Sequence, residues 1–241
     1  MKPKFPAVAW LFFGLIFWIS GVGLGVVAPA QADTIAELDQ LLPSQCYQMG
    51  TFEQEKSIPG LPTLLRSSGH FRFDCQRGVI WLQQKPVVDG FLFGKDDSYY
   101  SIDAQGDLAA LEARYQAAIG RIILLLFSAG QSDIQRQFDI EQVNAQPLTY
   151  ELKPKQRRLK RAVQSIFLVQ MAGEVRGEEG AEESSANTVE MSLVDSAGQT
   201  LRVVNRAEVI SKNSAAQASQ CVAYIGDLAA TSCARLDAIA P

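Results

Sequence analysis

The chain has 241 residues and a formal net charge of −4, and 47% of its residues are hydrophobic. This length and composition are typical of one well-buried globular domain, and the acidic balance argues against a nucleic-acid partner. The only histidine is His70, and the chain has neither a nucleophile elbow nor a Gly-rich phosphate loop, so we expect no enzyme, metal site or cofactor.

The first 32 residues have the features of a signal peptide. Lys2 and Lys4 precede an almost wholly apolar run from Ala7 to Val27, and Ala30-Gln31-Ala32 has the A-x-A form of a cleavage site. An uncleaved anchor is the alternative, because the run is long enough to span a bilayer. The four glycines within the run favour cleavage after Ala32. We therefore expect an exported, soluble chain from residue 33 to 241.

The cysteine count indicates disulfide bonds. An exported protein with an even number of cysteines, here Cys46, Cys75, Cys221 and Cys233, is more typical of two disulfides than of metal binding. Three pairings are possible. We favour Cys46 with Cys75 and Cys221 with Cys233, and the second pair would close a loop of about a dozen residues.

The exported chain opens with a helix pattern and then changes to strands. An apolar stripe at helical spacing, which Pro43 ends, is formed by Ile35, Leu38, Leu41 and Leu42. Thr51 to Lys56 then alternates between polar and apolar residues, which is typical of a strand with one face in the core.

Two further strands follow this first one. Phe71 and Phe73 share one side of the second strand, while the other side carries His70, Arg72 and Asp74. Because that second set is polar, we expect it to face solvent. Val79-Ile80-Trp81-Leu82 begins a third strand, and Pro86 ends it.

The landmarks of this region resemble the LolA family of periplasmic lipoprotein carriers. In order and spacing, the landmarks are Phe52, Gln54 and Lys56, then the pair Ser68-Gly69, then Trp81 and Pro86. The family typically has an Arg-Pro pair six and seven residues after that glycine, where this chain has Cys75-Gln76. The family's arginine helps to hold lid helices closed, so this chain lacks that latch residue.

The segment from Asp107 to Phe127 is predicted to be a helix capped by Asp107. Its second half, Ile122 to Phe127, is apolar on every side, and Gly130 is suited to the end of the helix. Such a segment is either an ordinary core helix or the cover of a cavity. The LolA resemblance implies the second, as part of a lid.

Strand patterns return at Gln137. Alternation predicts strands around Phe138 and Ile140 and from Leu148 to Leu152, and a hairpin of residues 163–170 with 188–195. The acidic, Gly- and Ser-rich segment between the hairpin strands is predicted to be a loop. The alanine-rich tail from Ser214 to Ile239 is predicted to be helical.

These segments predict nine to eleven antiparallel strands and two or three helices. The expected class is α+β: a curled antiparallel sheet, or open half-barrel, with helices covering its concave face. Residues 1–32 would be the signal peptide and residues 33–241 one LolA-like lipid-binding domain with a helical tail. A closed aromatic core is the alternative to a cavity. The predicted cavity residues are Phe52, Phe71, Phe73, Trp81, Phe91, Phe93, Ile122, Leu125, Leu126, Phe127, Phe138 and Ile140.

A basic cluster interrupts the acidic chain. Its members, which fall within nine residues, are Lys153, Lys155, Arg157, Arg158, Lys160 and Arg161. Such a run is either a solvated turn or a docking patch for anionic lipid headgroups or an acidic partner.

The LolA resemblance implies a function. It implies a monomeric periplasmic carrier that holds the acyl chains of a lipoprotein or lipid and moves them from an inner-membrane donor complex to an outer-membrane acceptor. The alternative is a periplasmic lipid-sensing regulatory domain of LolA-like fold.

Overall fold

The computed structural model describes residues 38, 41–42, 46–111, 120, 122–126, 131–171, 188–211 and 213–240. These residues contain one antiparallel sheet of eleven strands. The strands are β1 (Tyr47–Ser57), β2 (Leu65–Asp74), β3 (Gly78–Lys85), β4 (Asp89–Gly94), β5 (Tyr99–Ile102), β6 (Leu108–Ala110), β7 (Phe138–Ala145), β8 (Leu148–Pro154), β9 (Val163–Gln170), β10 (Thr188–Asp195) and β11 (Thr200–Ile210).

The sheet is two meanders joined through its first and last strands. The spatial order is β6-β5-β4-β3-β2-β1-β11-β10-β9-β8-β7, so β11 returns to pair with β1. The edge strands β6 and β7 do not pair with each other in the described part of the chain, and the sheet stays open. Residues as far apart in the sheet as Phe93 and Phe138 nevertheless join one hydrophobic cluster. The predicted α+β class with an open, curled antiparallel sheet is confirmed.

The described helices are few and short. They are α1 (Gln131–Gln137), α2 (Arg157–Lys160), α3 (Ser214–Ile225) and α4 (Ala230–Asp237), with a 3₁₀ turn at Asp227–Ala229. A further helical stretch comprises residues 120 and 122–126. Within the described ranges, none of the helices combines the length and apolar character needed to cross a membrane.

The alanine-rich tail is helical as predicted, and it packs on the outer face of β2 to β5, which includes the side of β2 that was predicted to face solvent. A separate hydrophobic cluster joins Ile80, Leu82, Leu92 and Ile102 of the strands to Cys221, Ile225, Ala229, Cys233, Leu236 and Ile239 of the tail. Polar residues on this outer face are correspondingly enclosed, and Arg72 and Asp74 are fully buried. The prediction of a solvent-exposed face was therefore wrong for β2.

Buried polar groups fix the tail to the sheet. Arg72 Nε donates to Gln217 Oε1 at 3.1 Å, and Arg72 Nη2 lies 2.5 Å from Asp237 Oδ1. The Gln217 amide in turn donates to the backbone carbonyls of Gln48 and Phe73, at 2.8 and 2.7 Å. At the start of α3, the Ser214 hydroxyl donates to Asp74 at 2.5 Å. These bonds satisfy polar groups that would otherwise be costly to bury.

Two disulfides add covalent links. Cys46 is bonded to Cys75 at the start of the first hairpin, and Cys221 is bonded to Cys233 between α3 and α4. These are the pairs that the sequence favoured. All four cysteines are used, so the described residues contain no free thiol.

The predicted helix from Asp107 is replaced at its start by a strand. Leu108–Ala110 form β6, which pairs with β5 across the turn at Asp103 to Gly106. The Asp103 side chain accepts from the amides of Gln105 and Asp107, and Gly106 has a φ of +83°. This turn chemistry favours a hairpin over a helix cap. Residues 112–119 of the predicted helix lie outside the described residues.

We expect Arg72→Ala to lower the free energy of unfolding by about 3 kcal/mol, because it leaves Asp237 and Gln217 without their buried partner. Urea denaturation measures the change. Arg66→Ala is the control: Arg66 also pairs with a carboxylate, Glu55, but its side chain is 75% exposed. An exposed pair of this kind contributes at most about 1 kcal/mol. If the two changes lowered the free energy of unfolding equally, the buried contacts of Arg72 would not be what holds the tail to the sheet.

Candidate functional site

The inner face of the sheet is a continuous apolar surface. Side chains alternate along each strand, and the antiparallel register aligns Phe71 with Trp81 and Trp81 with Phe91 on the same face. The predicted cavity residues that are buried in one cluster are Phe52, Phe71, Phe73, Trp81, Phe93, Ile122, Leu126 and Phe138. Phe91, Leu125 and Ile140 are partly buried against that cluster. Phe127 lies outside the described residues.

The second half of the sheet contributes residues that sequence reasoning did not assign to the site. These are Tyr150 and Leu152 of β8, Ile166 and Leu168 of β9, Met191 and Leu193 of β10, and Val203 of β11. The alternation in each strand was visible, but nothing local indicated which face turned inward. The strand register shows which residues share the inner face, since Leu152 pairs with both Ile140 and Ile166.

An aromatic stack across a glycine stands at the centre of this face. The rings of Phe52 on β1 and Trp81 on β3 stack with centroids 4.0 Å apart, although β2 lies between their strands. The β2 residue paired with Phe52 is Gly69. A Cβ at Gly69 would lie 2.0 Å from the carbonyl oxygen of Leu82, so the close approach requires glycine. The two rings cover the gap that Gly69 leaves.

A helical stretch covers this inner face, and we call it the apolar cover (residues 120 and 122–126). Ile122, Leu124 and Leu126 are buried. Ile123 and Leu125, which lie between them, are partly buried and pack against the same cluster. A helical stretch in which all five successive side chains are buried or partly buried is enclosed on nearly all sides. Gly120 lies so close to Phe93 that a Cβ there would be 2.6 Å from the ring.

The apolar face passes into a polar groove at one end of the strands. The groove has a volume of about 370 Å³ and is lined by Glu53, Gln54, Glu55, Arg66, Ser67, Ser68, Lys85 and Pro86. Gln54 and Ser67 continue the inner-face positions of Phe52 and Gly69, and the Gln54 amide donates to Gln83 at 3.0 Å. Glu55 pairs with Arg66 at 3.0 Å. An apolar surface that ends in a polar groove matches an amphiphile.

The basic cluster divides into two parts. Lys153 lies 3.0 Å from Glu151, and this hydrogen bond raises the pKa of the lysine above its ordinary value. Lys155 donates to the Gln135 carbonyl at 2.7 Å and lies 3.5 Å from Asp139. The remaining cations, which are exposed and form no ion pair with another described residue, are Arg157, Arg158, Lys160 and Arg161.

His70 lies on the outer face, away from the apolar cover. Its ring meets the Tyr224 ring of α3 edge-on, with centroids 5.5 Å apart, and its Nδ1 is buried without a hydrogen-bond partner among the described residues. The sequence predicts that His70 faces solvent, but the tail helix packs against its ring. Burial, aided by Glu208, raises the pKa of Tyr224. Within the described ranges, no group of three His, Cys, Asp or Glu residues is arranged to hold a metal.

Comparison with known proteins shows a distant structural similarity and no match of sequence. No family model matches the chain, and no curated protein matches its sequence. Among solved structures, it is similar to a LolA superfamily protein from Nitrosomonas europaea, with 9% sequence identity and a TM-score of 0.41. That match covers 76% of this chain and 96% of the other. A likeness at this level gives no information on what the protein binds.

We expect Gly69→Ala to lower the free energy of unfolding by about 1–3 kcal/mol, because the new methyl group forces β2 away from β3. It should also change the fluorescence of Trp81, whose ring stacks over this position. Ser67→Ala is the matched control, since Ser67 is the preceding inner-face residue of β2 and pairs with Gln54. A Gly69→Ala variant as stable as the Ser67→Ala variant would contradict the required close approach.

Proposed function

We propose that this protein is an exported carrier that holds the acyl chains of a lipid or lipoprotein against the inner face of the sheet. The observation that supports this most directly is the pairing of one continuous aromatic and aliphatic face with a helical cover that is itself apolar on every side. Acyl chains would take the place of the cover. The polar headgroup would lie in the groove beside Arg66 and Lys85.

The energetics of lipid transfer require such a site. Exposing an acyl chain of a dozen CH₂ groups to water costs about 10 kcal/mol, at about 0.8 kcal/mol for each group. Unaided passage through water is therefore rare. A protein that offers an apolar face and then covers it removes most of that cost during transfer. The role is one of binding and transfer, and it requires no catalytic group.

The two faces of the sheet are suited to different roles. On the outer face, the tail helices α3 and α4 are fixed by the Cys221–Cys233 disulfide and by the buried contacts of Arg72 with Gln217 and Asp237. The apolar cover contacts the inner face through hydrocarbon side chains, which exchange readily for other hydrocarbon. We therefore propose that the apolar cover moves and that the tail helices α3 and α4 form part of a fixed scaffold.

The disulfides favour an oxidising compartment outside the cytoplasm, in agreement with the predicted signal peptide. We propose the periplasm as that compartment. The partners would be the membrane that donates the lipid or lipoprotein and the membrane that accepts it, and the carrier would act as a monomer.

A pair of matched substitutions tests the proposal. Leu126 and Leu236 are both buried helical leucines, but they belong to the apolar cover and to the outer helix α4, respectively. We expect Leu126→Glu to retain the fold, because the cover can turn the carboxylate to water, and to lose most acyl binding. In Leu236→Glu the carboxylate cannot turn to water, because α4 is fixed to the sheet. This change should cost several kcal/mol of stability or prevent folding.

Trp81 provides the readout. It is the only tryptophan after residue 18, so in the exported chain its fluorescence reports on the inner face alone. A fatty acid carrying a quenching group should quench Trp81 in the wild type and much less in Leu126→Glu. Thermal melting gives the stability of each variant. A wild type that takes up no probe, together with a Leu126→Glu variant that unfolds, would refute the carrier function in favour of a closed core.

A further inference from the structure

Exposed leucines cluster in the connection between β1 and β2 and at the first residue of β2, and we call this segment the leucine loop (residues 58–65). Leu61, Leu64 and Leu65 are 43%, 49% and 48% exposed, and Val87 in the neighbouring β3–β4 connection is 62% exposed. These are four of the six large apolar side chains that the described residues leave exposed. No charged residue occurs from residue 57 to residue 65. Single exposed leucines are ordinary, but a contiguous group of them marks an interaction surface.

The four unpaired cations lie at the same end of the sheet. They form the basic turn, which is α2 together with Arg161, and buried Leu159 anchors it to the core. The strand register fixes its position: Ser57 pairs with Thr200, and Asp195 pairs with Val163. The connections β1–β2, β10–β11 and β8–β9 therefore emerge together.

The β10–β11 turn lies between the two features and approaches both of them. The Ser196 amide of the β10–β11 turn donates to the Ala162 carbonyl beside the basic turn, at 3.3 Å. On its other side, the same turn reaches the leucine loop, since a Cβ on Gly198 would lie 3.9 Å from the Pro59 ring. Three strand spacings separate β1 from β9, so the leucine loop and the basic turn are about 15 Å apart along the edge.

We propose that this end of the protein docks on an anionic lipid bilayer, with the leucine loop inserted among the headgroups and the basic turn bound to their phosphates. Neither signal alone gives stable membrane association, whereas an apolar insertion beside a polybasic patch does. The net charge of the whole chain is −4, so general electrostatics would repel an anionic surface. Attraction therefore requires the local cations. Lys153 and Lys155, which are paired within the protein, are not part of this surface.

Vesicle sedimentation tests the surface. We expect the exported chain to bind vesicles of phosphatidylglycerol and phosphatidylethanolamine at low salt, and to release them as salt screens the charges. Neutral phosphatidylcholine vesicles should bind far more weakly. Neutralising the basic turn with Arg157→Gln, Arg158→Gln and Lys160→Gln should weaken binding roughly a hundredfold, at about fivefold for each charge. The pair Leu61→Ser and Leu64→Ser should weaken it roughly tenfold for each leucine.

Matched controls lie at the opposite end of the sheet. Val143→Ser removes an apolar side chain that is 46% exposed near the β7–β8 turn, and Lys95→Gln removes an exposed cation in the β4–β5 turn. Neither should change vesicle binding. All variants should keep the wild-type melting temperature, since they alter exposed positions.

The outcomes separate this inference from the carrier proposal. Bilayer docking is supported if the leucine-loop and the basic-turn variants both lose vesicle binding while the control variants do not. The combined surface is overturned if only one of the two sets of variants loses binding, or if the control variants lose it equally. Absence of wild-type binding at low salt also overturns it and leaves this end for a protein partner. Quenching of Trp81 by the acyl probe should be unchanged in every variant, so the carrier proposal can fail or hold independently.

Discussion

The inner face depends on one contact that bridges three strands. Phe52 and Trp81 stack across β2 because Gly69 carries no side chain between them. A side chain at position 69 would fill this space and push β2 away from β3. Removing either ring would leave a cavity in the middle of the face. Three of the sequence landmarks, Phe52, Gly69 and Trp81, are thus parts of one packing unit. Their spacing follows from the register of β1, β2 and β3.

The strands β2 to β4 are buried on both faces, and in the proposed carrier this gives the molecule a fixed outer side and an exchangeable inner side. Trp81 and Phe93 point to the inner face, while Leu82 and Leu92 point to the tail. On the outer side, a disulfide and a buried arginine network specify one position for the helices. On the inner side, the cover is held by hydrocarbon contacts, which are non-directional. In the proposed carrier, this fixed outer side would allow the inner cover to move without loss of the fold.

Local alternation was enough to predict most strands and the aromatic inner residues, since Phe71 and Phe73 repeat at the strand period. It failed where a distant element changed the environment. Arg72 was expected in water because its neighbours His70 and Asp74 are polar, yet its partner Asp237 is 165 residues away. The run Val79-Ile80-Trp81-Leu82 was the available signal, because four successive apolar residues in a strand indicate burial on both faces. At Asp107, a cap signal competed with the turn chemistry of Asp103 and Gly106, and the turn prevailed.

The composition of the apolar cover sets how tightly a cargo could be held in the proposed carrier. Lifting the three buried side chains of the cover, Ile122, Leu124 and Leu126, from the inner face costs about 1.5–3 kcal/mol each, and the partly buried Ile123 and Leu125 add less. The total is on the order of 5–10 kcal/mol, which is comparable to the gain of about 10 kcal/mol from burying one acyl chain of a dozen CH₂ groups. Cover and cargo would therefore exchange with a small net change in free energy. A hydrophilic cover would compete too weakly for the inner face, so the cargo would be held too tightly to be released, as it would be on a permanently open face. An apolar cover of about this size makes both loading and release possible.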